Sequence, residues 1–215
     1  MKKLTILTIT LVSVIVNAQS YGIKAGVNVA SVLNFDVQRP VSSVPRAVFG
    51  VFFRKTISDK LDIQPELLLT YQGFNQNFMS SPNDPNPAII DKFRYASINL
   101  PISFGYHLND KFRMELGVEP MFISGKVKYY STSYGSQSEL DLTDLFKKFQ
   151  MNGLAGLSYK FSGDAEIGIR HIFGLSDYLE NKPNANNQFR RTSNFQVTAM
   201  IPIKTIISLK KDNDR

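Results

Sequence analysis

The chain has 215 residues, which suits one domain, and its 43% hydrophobic and 20% charged residues exclude wholesale disorder. The formal net charge is +7. Cysteine is absent, which excludes disulfides, thiolate metal sites, a cysteine nucleophile and an N-terminal lipidated cysteine. Aromatic residues make up 12% and are all Phe or Tyr.

Lys2 and Lys3 precede an apolar run over residues 4–16, which leads to Ala18-Gln19. A positive start, a short apolar run and a small residue at the cut predict a signal peptide over residues 1–18, with 19–215 as a single barrel domain. The run is too short to span a bilayer, which needs about 20 residues. Cleavage removes two lysines from the positive excess.

From Tyr21 onward, apolar and polar residues alternate with period two, the mark of strands with one apolar face. Residues 21–29 set Tyr21, Ile23, Ala25, Val27 and Val29 against Gly22, Lys24, Gly26 and Asn28. Residues 47–57 set Phe49, Val51 and Phe53 against Gly50 and Arg54, with Val48 and Phe52 also on the polar side. Residues 61–74 oppose Leu67, Leu69 and Tyr71 to Asp62, Gln64, Glu66 and Gln72. Further segments follow at 93–108, 112–129, 150–161, 165–173 and 192–204. Eight segments of about ten residues have the length that tilted strands need to cross a bilayer.

The connections alternate in length. Ser58-Asp59-Lys60, Asn109-Asp110-Lys111 and Ser162-Gly163-Asp164 are tight turns. Residues 30–46, 78–91, 130–148 and 175–190 are long connections. This is the layout of an outer-membrane barrel, with long outer loops and short periplasmic turns. The expected fold is therefore all-β, an eight-stranded antiparallel up-and-down transmembrane β-barrel behind a signal peptide. A soluble exported lipocalin-like barrel that binds a small apolar ligand is the alternative, with the same alternation turned inside out.

Glycine separates the two. Gly22, Gly26, Gly50, Gly105, Gly117, Gly156 and Gly168 lie on the polar face, and Gly153 is the clear exception. An eight-stranded barrel has an interior just wide enough for side chains, so inward glycines make room for long charged neighbours. On a solvent face they would only weaken the strands. The expected lumen charge network is Lys24, Arg54, Glu66, Arg113, Glu115, Glu119, Glu166 and Arg170, with Asp62 and Lys160 on the same face. Two aromatic bands should flank the lipid-facing surface: Tyr21, Tyr106, Phe112, Tyr159 and Phe161 near the turns, and Phe49, Tyr71, Phe93, Tyr129 and Phe173 near the loops.

Several stretches resemble the PorT-like outer-membrane β-barrel family of Bacteroidota: residues 21–28 (YGIKAGVN), 63–69 (IQPELLL) with Gln72-Gly73, 100–102 (LPI), 117–120 (GVEP) and 170–177 (RHIFGLSD). They run in order through the whole mature chain. The resemblance implies an eight-stranded barrel in the outer membrane and no particular activity. The founding member of that family is linked to type IX protein secretion, which suggests an accessory role in protein secretion.

No catalytic, metal or cofactor-binding residues stand out, and the chain is expected to be neither an enzyme nor a nucleic-acid binder. His107 and His171 fall at opposite ends of the barrel, with Ser176 in reach of His171. Glu115 and Glu119 lie about 13 Å apart along one strand face, too far for a glycosidase pair. Leu142, Leu145, Phe146 and Phe149 have helical spacing and predict a short helix over the barrel mouth. Pro82, Pro85 and Pro87 stiffen the second loop. Lys126, Lys128, Lys147, Lys148, Arg190 and Arg191 form a basic rim expected to face lipopolysaccharide phosphates. The expected partners are outer-membrane lipid, lipopolysaccharide and other envelope proteins.

Overall fold

The computed structural model describes residues 20–33, 41–78, 89–133, 136–161, 164–179 and 191–203. The signal segment, the proline-rich part of the second loop and Arg190 lie outside them. The strands are β1 (Ser20–Leu33), β2 (Val41–Ser58), β3 (Leu61–Phe78), β4 (Ile89–Asn99), β5 (Ile102–His107), β6 (Phe112–Ser133), β7 (Ser136–Asp141), β8 (Phe149–Lys160), β9 (Glu166–Gly174) and β10 (Arg191–Pro202).

All pairings are antiparallel. Pairing follows chain order except around β4, β5 and β7, and β1 also pairs with β10, from Gly22 opposite Pro202 to Leu33 opposite Arg191. That last pairing closes the sheet into a barrel without free edges. β4 and β5 are two halves of one stave, both lying between β3 and β6. The break falls at Leu100-Pro101, since proline brings no N–H to the ladder. The neighbours bridge it: Leu100 N–H donates to the Pro120 carbonyl at 2.9 Å, and Glu66 N–H to the Pro101 carbonyl at 2.8 Å. With β7 a short extra strand on β6, the barrel has eight staves.

Burial runs opposite to that of a soluble protein. Leu116 is 65% exposed and Ile169 57%, whereas Lys24 is 2% and Glu119 0% exposed. The apolar face of each strand points outward and the polar face inward. A lipocalin-like barrel has the reverse arrangement, so that alternative is not favoured.

Three differences from the sequence reading have physical causes. β2, β3, β4 and β6 run further toward the long-hairpin end than alternation indicates. Beyond the bilayer neither face need be apolar, so the period-two signal fades while pairing continues. Phe93 and Tyr129 turn toward the barrel mouth, where Phe93 stacks on Phe74 at 4.7 Å between ring centroids and Tyr129 packs on Phe93. They belong to a mouth cluster and not to the lipid-facing band. The expected helix is a single 3-10 turn, Thr143–Leu145. Phe146 alone of its four apolar residues is buried; Leu145 and Phe149 remain exposed.

Gly153, the exception on the apolar face, lies under the ring of Phe173, where a Cβ would collide with the ring edge. At the short-turn end, the Asn109 side-chain carbonyl accepts the N–H groups of Lys111 and Phe112, both at 2.9 Å. This is an Asx turn.

Candidate functional site

The lumen holds one connected system of ion pairs. Lys24 of β1 donates to both Glu66 oxygens at 3.0 Å. Arg170 of β9 reaches the same carboxylate at 2.7 and 3.1 Å and also grips Glu115 of β6 at 2.8 and 3.0 Å. Arg113 joins Glu115 at 3.1 Å to Asp62 at 2.6 and 2.8 Å. His107 Nε2 lies 2.8 Å from Asp62. Arg54 of β2 pairs with Glu166 of β9 through both guanidinium nitrogens and donates to Gln64 at 2.7 Å. Gln64 in turn donates to Glu66 at 2.6 Å. Four cations thus meet four carboxylates, and each carboxylate accepts from more than one side chain, as buried charges require.

The staves explain the reach. Around the ring, β3 and β9 stand on opposite sides, so the Glu66–Arg170 contact crosses the lumen. Glycines make the space. A Cβ on Gly105 would fall on the Arg113 guanidinium, and one on Gly156 would come within 2.7 Å of the Glu115 carboxylate.

Two network residues need correction. Glu119 stands apart from the ion pairs: its Oε1 accepts from Asn99 at 2.7 Å and Asn152 at 3.3 Å, and its Oε2 has no partner. Lys160 lies outside the lumen at the short-turn end, paired with Asp164. Asp62, placed on the same face but not in the expected network, is a full member that holds Arg113 and His107. Its polar-face position on the strand was the signal for it.

Beyond the charges comes a mixed layer. Gln72 accepts from Tyr95 Oη at 3.1 Å and donates to Ser97 Oγ at 3.0 Å. Gln72 also donates to Met121 Sδ at 3.0 Å, and Leu68, Leu154 and Ile172 are likewise buried. At the mouth Phe74, Tyr95, Val127, Phe146 and Tyr178 pack into one buried hydrophobic cluster. A strap at 142–148 carries Phe146 there. It is anchored by Val127 N–H to Thr143 Oγ1 at 3.0 Å, by Lys147 N–H to the Tyr178 carbonyl at 2.9 Å and by a bridge from Phe146 to Leu179. Asp141 accepts from the Thr143 backbone N–H. The Thr143 hydroxyl and that N–H, followed by Lys126, hold the Asp141 carboxyl below its ordinary pKa.

The basic rim does not gather into one patch. Lys126 pairs with Asp141 at 3.2 Å and Lys128 with Glu139 at 3.0 Å, both on the β6–β7 hairpin. Lys147 and Lys148 lie on the strap, and Arg191 begins β10 on the far side. His171 faces outward, 3.0 Å from Ser193 Oγ and stacked on Phe195. Ser176 is engaged elsewhere, accepting the Met151 N–H at 3.1 Å. Among the described residues, no group of three His, Asp or Glu residues is arranged to hold a metal.

A closed barrel with a polar inside and an apolar outside is what the family comparison meets. The model of the outer membrane protein beta-barrel domain matches residues 17–180. The chain belongs to that family. It is an outer-membrane protein whose apolar face contacts lipid. Among solved structures it is similar to Ail, the attachment invasion locus protein of Yersinia pestis, in complex with the heparin analogue sucrose octasulfate, at 12% identity over 84% of this chain and 96% of that one, with a TM-score of 0.46. It is also similar to Neisserial surface protein A at 12% identity over 86% and 97%, with a TM-score of 0.49. A third likeness is to OprG of Pseudomonas aeruginosa, at 12% identity over 86% and 94%, with a TM-score of 0.39. No curated protein matches the chain.

Proposed function

We propose that this barrel is a non-enzymatic, PorT-like outer-membrane protein whose lumen is closed to bulk solute. It acts structurally or by binding partners through its outer hairpins. Residues 1–18 direct its export, and it takes no cofactor and no nucleic acid. The observation that carries this reading is the contact between Glu66 and Arg170 across the lumen, reinforced by Lys24, Glu115 and Arg113. A solute would have to break several buried charge pairs to pass. The aromatic mouth behind Phe146 supports the same reading from the other end. The test is conductance in planar bilayers. The expected record has no stable open level, and a steady single-channel conductance would sink the proposal.

The short turns then lie in the periplasm and the long hairpins outside. There the basic residues Lys126, Lys128, Lys147, Lys148, Arg190 and Arg191 meet lipopolysaccharide, and the hairpins meet other envelope proteins. Crosslinking in cells identifies those partners. The family resemblance also supports an accessory role in protein secretion. Intact type IX export after deletion of the gene would remove that role.

A further inference from the structure

Two irregularities flank β3 and β4 near the outer end. β2 slips against β3 between Ser43 and Val48. β6 sets three residues against the single Tyr95 between its pairs with Arg94 and Ala96, among them Gly125, whose φ of 81° suits glycine. Between the two bulges lies a cleft of about 520 Å³, lined by Arg46, Tyr71, Arg94, Lys126 and Lys128. Tyr71 belongs to the outward-facing aromatic residues, with exposed Leu67 on the same strand and exposed Phe49 on β2 beside it. The cleft therefore adjoins the lipid-facing surface.

Among the described residues its charges are not balanced. Four cations face two carboxylates, and both carboxylates are taken: Asp141 by Lys126 and Glu139 by Lys128. Arg94 donates to the Phe74 and Phe93 carbonyls at 3.1 and 2.6 Å and to Asn75 Oδ1 at 2.7 Å, all neutral acceptors. Arg46 stands close enough to repel Arg94, and its Nε is buried without a hydrogen-bond partner. Gly73 provides the floor. A Cβ there would lie 2.9 Å from Arg94 Cδ and 3.0 Å from Nη1, so a side chain at Gly73 would push Arg94 away.

We propose that this cleft binds the phosphate of an outer-leaflet lipid headgroup, with Arg46 and Arg94 as its principal ligands. Guanidinium groups match phosphate bidentately, and an anion here relieves the repulsion between two arginines. The opening beside Tyr71 lets the acyl chains of the same molecule lie on the barrel, which favours a lipid over a free ion. The inference rests on the orientation proposed above, with the long hairpins outside.

The test uses the full chain purified from outer membranes in a mild detergent. Native mass spectrometry compares retention of bis-phosphorylated lipid A, the same lipid after phosphatase treatment, and inorganic phosphate. The phosphorylated lipid should be retained at least tenfold better than the dephosphorylated one. R46Q/R94Q should abolish that preference, R46K/R94K should keep part of it, and K60Q/K111Q at the short-turn end should leave it unchanged. Equal retention of the two lipids, or an undiminished preference in R46Q/R94Q, overturns the proposal. Inorganic phosphate held as well as the lipid overturns the lipid assignment. Heat-dependent migration on gels checks folding. If the double variant fails that check, R94Q alone must lower the preference at least threefold, and no loss overturns the proposal. Extraction of the wild-type protein by carbonate would sink the membrane reading itself, independently of the cleft.

Discussion

Replacing Arg170 with Met tests whether the lumen is a dry, interlocked interior. Arg170 is buried and makes four hydrogen bonds to two carboxylates. Charge-assisted bonds contribute about 1.5–3 kcal/mol each, but Lys24 stays with Glu66 and Arg113 with Glu115, which offsets part of the loss. Breaking a buried pair typically destabilises by about 3–5 kcal/mol, and that is the expected effect of R170M. R170K keeps the charge but cannot hold two carboxylates as a fork does, so it should fall between wild type and R170M. E66Q/R170M removes both partners of the cross-lumen pair, and its cost should fall short of the sum of the single costs by at least about 1.5 kcal/mol. The assay is urea unfolding in lipid vesicles, followed by heat-dependent gel migration or circular dichroism, since the chain has no tryptophan. A loss below about 1 kcal/mol for R170M would mean that water screens these charges. The closed-lumen reading would then fall with it.

Three further outcomes follow from the same geometry. Ile169 lies on the lipid-facing surface between Leu157 and Val197, and I169R should cost about 2–4 kcal/mol in the same unfolding assay if it sits near the midplane depth. F146A removes the anchor of the strap. Amides at 143–148 should exchange faster while the urea midpoint of the barrel hardly moves, because the strap meets the staves only at the mouth and the strand ladders below do not depend on it. Asp141 has a depressed folded pKa, so its contribution to the strap is complete above the unfolded value and is lost as pH falls through the folded one. Exchange at Thr143 should therefore quicken below about pH 4, and D141N should remove that pH dependence.

The staves and their facing were legible because both rest on local pattern. Alternation sorts Ile167 and Ile169 from Glu166 and Arg170 whatever the rest of the chain does, and the burial pattern of β9 follows it. The inward glycines were legible for the same reason, although their partners were not: that Gly105 lies under Arg113 and Gly156 under Glu115 depends on register. Outside the bilayer the pattern has no solvent asymmetry to record, so the extensions of β2, β3, β4 and β6 and the short strand β7 left little trace. Phe93 shows the limit most clearly. Its parity is that of Tyr95 and Ser97, which face inward, yet an aromatic residue near a strand end reads as a membrane-interface residue until Phe146 supplies its packing partner. Arg46 and Arg94 were invisible because two bulges, not a spacing, bring them together.

The register also accounts for the apartness of Glu119. Glu115 sits opposite Gly156, which leaves it open to Arg170 on the next stave, whereas Glu119 sits opposite Asn152, beyond the reach of that guanidinium's bonds. Four residues along one strand face move a carboxylate about 13 Å, more than a long side chain can recover. Glu119 is therefore met by Asn99 and Asn152, short amides that donate hydrogen bonds without adding charge. The ion-pair network ends there because no further basic side chain of the described barrel staves joins it, and the interior passes from paired charges to amides and then to aromatic rings at the mouth. Each layer suits its depth. Charges bind strands that are not neighbours in the sheet, amides satisfy what the charges leave, and aromatic rings pack at the end beneath the strap.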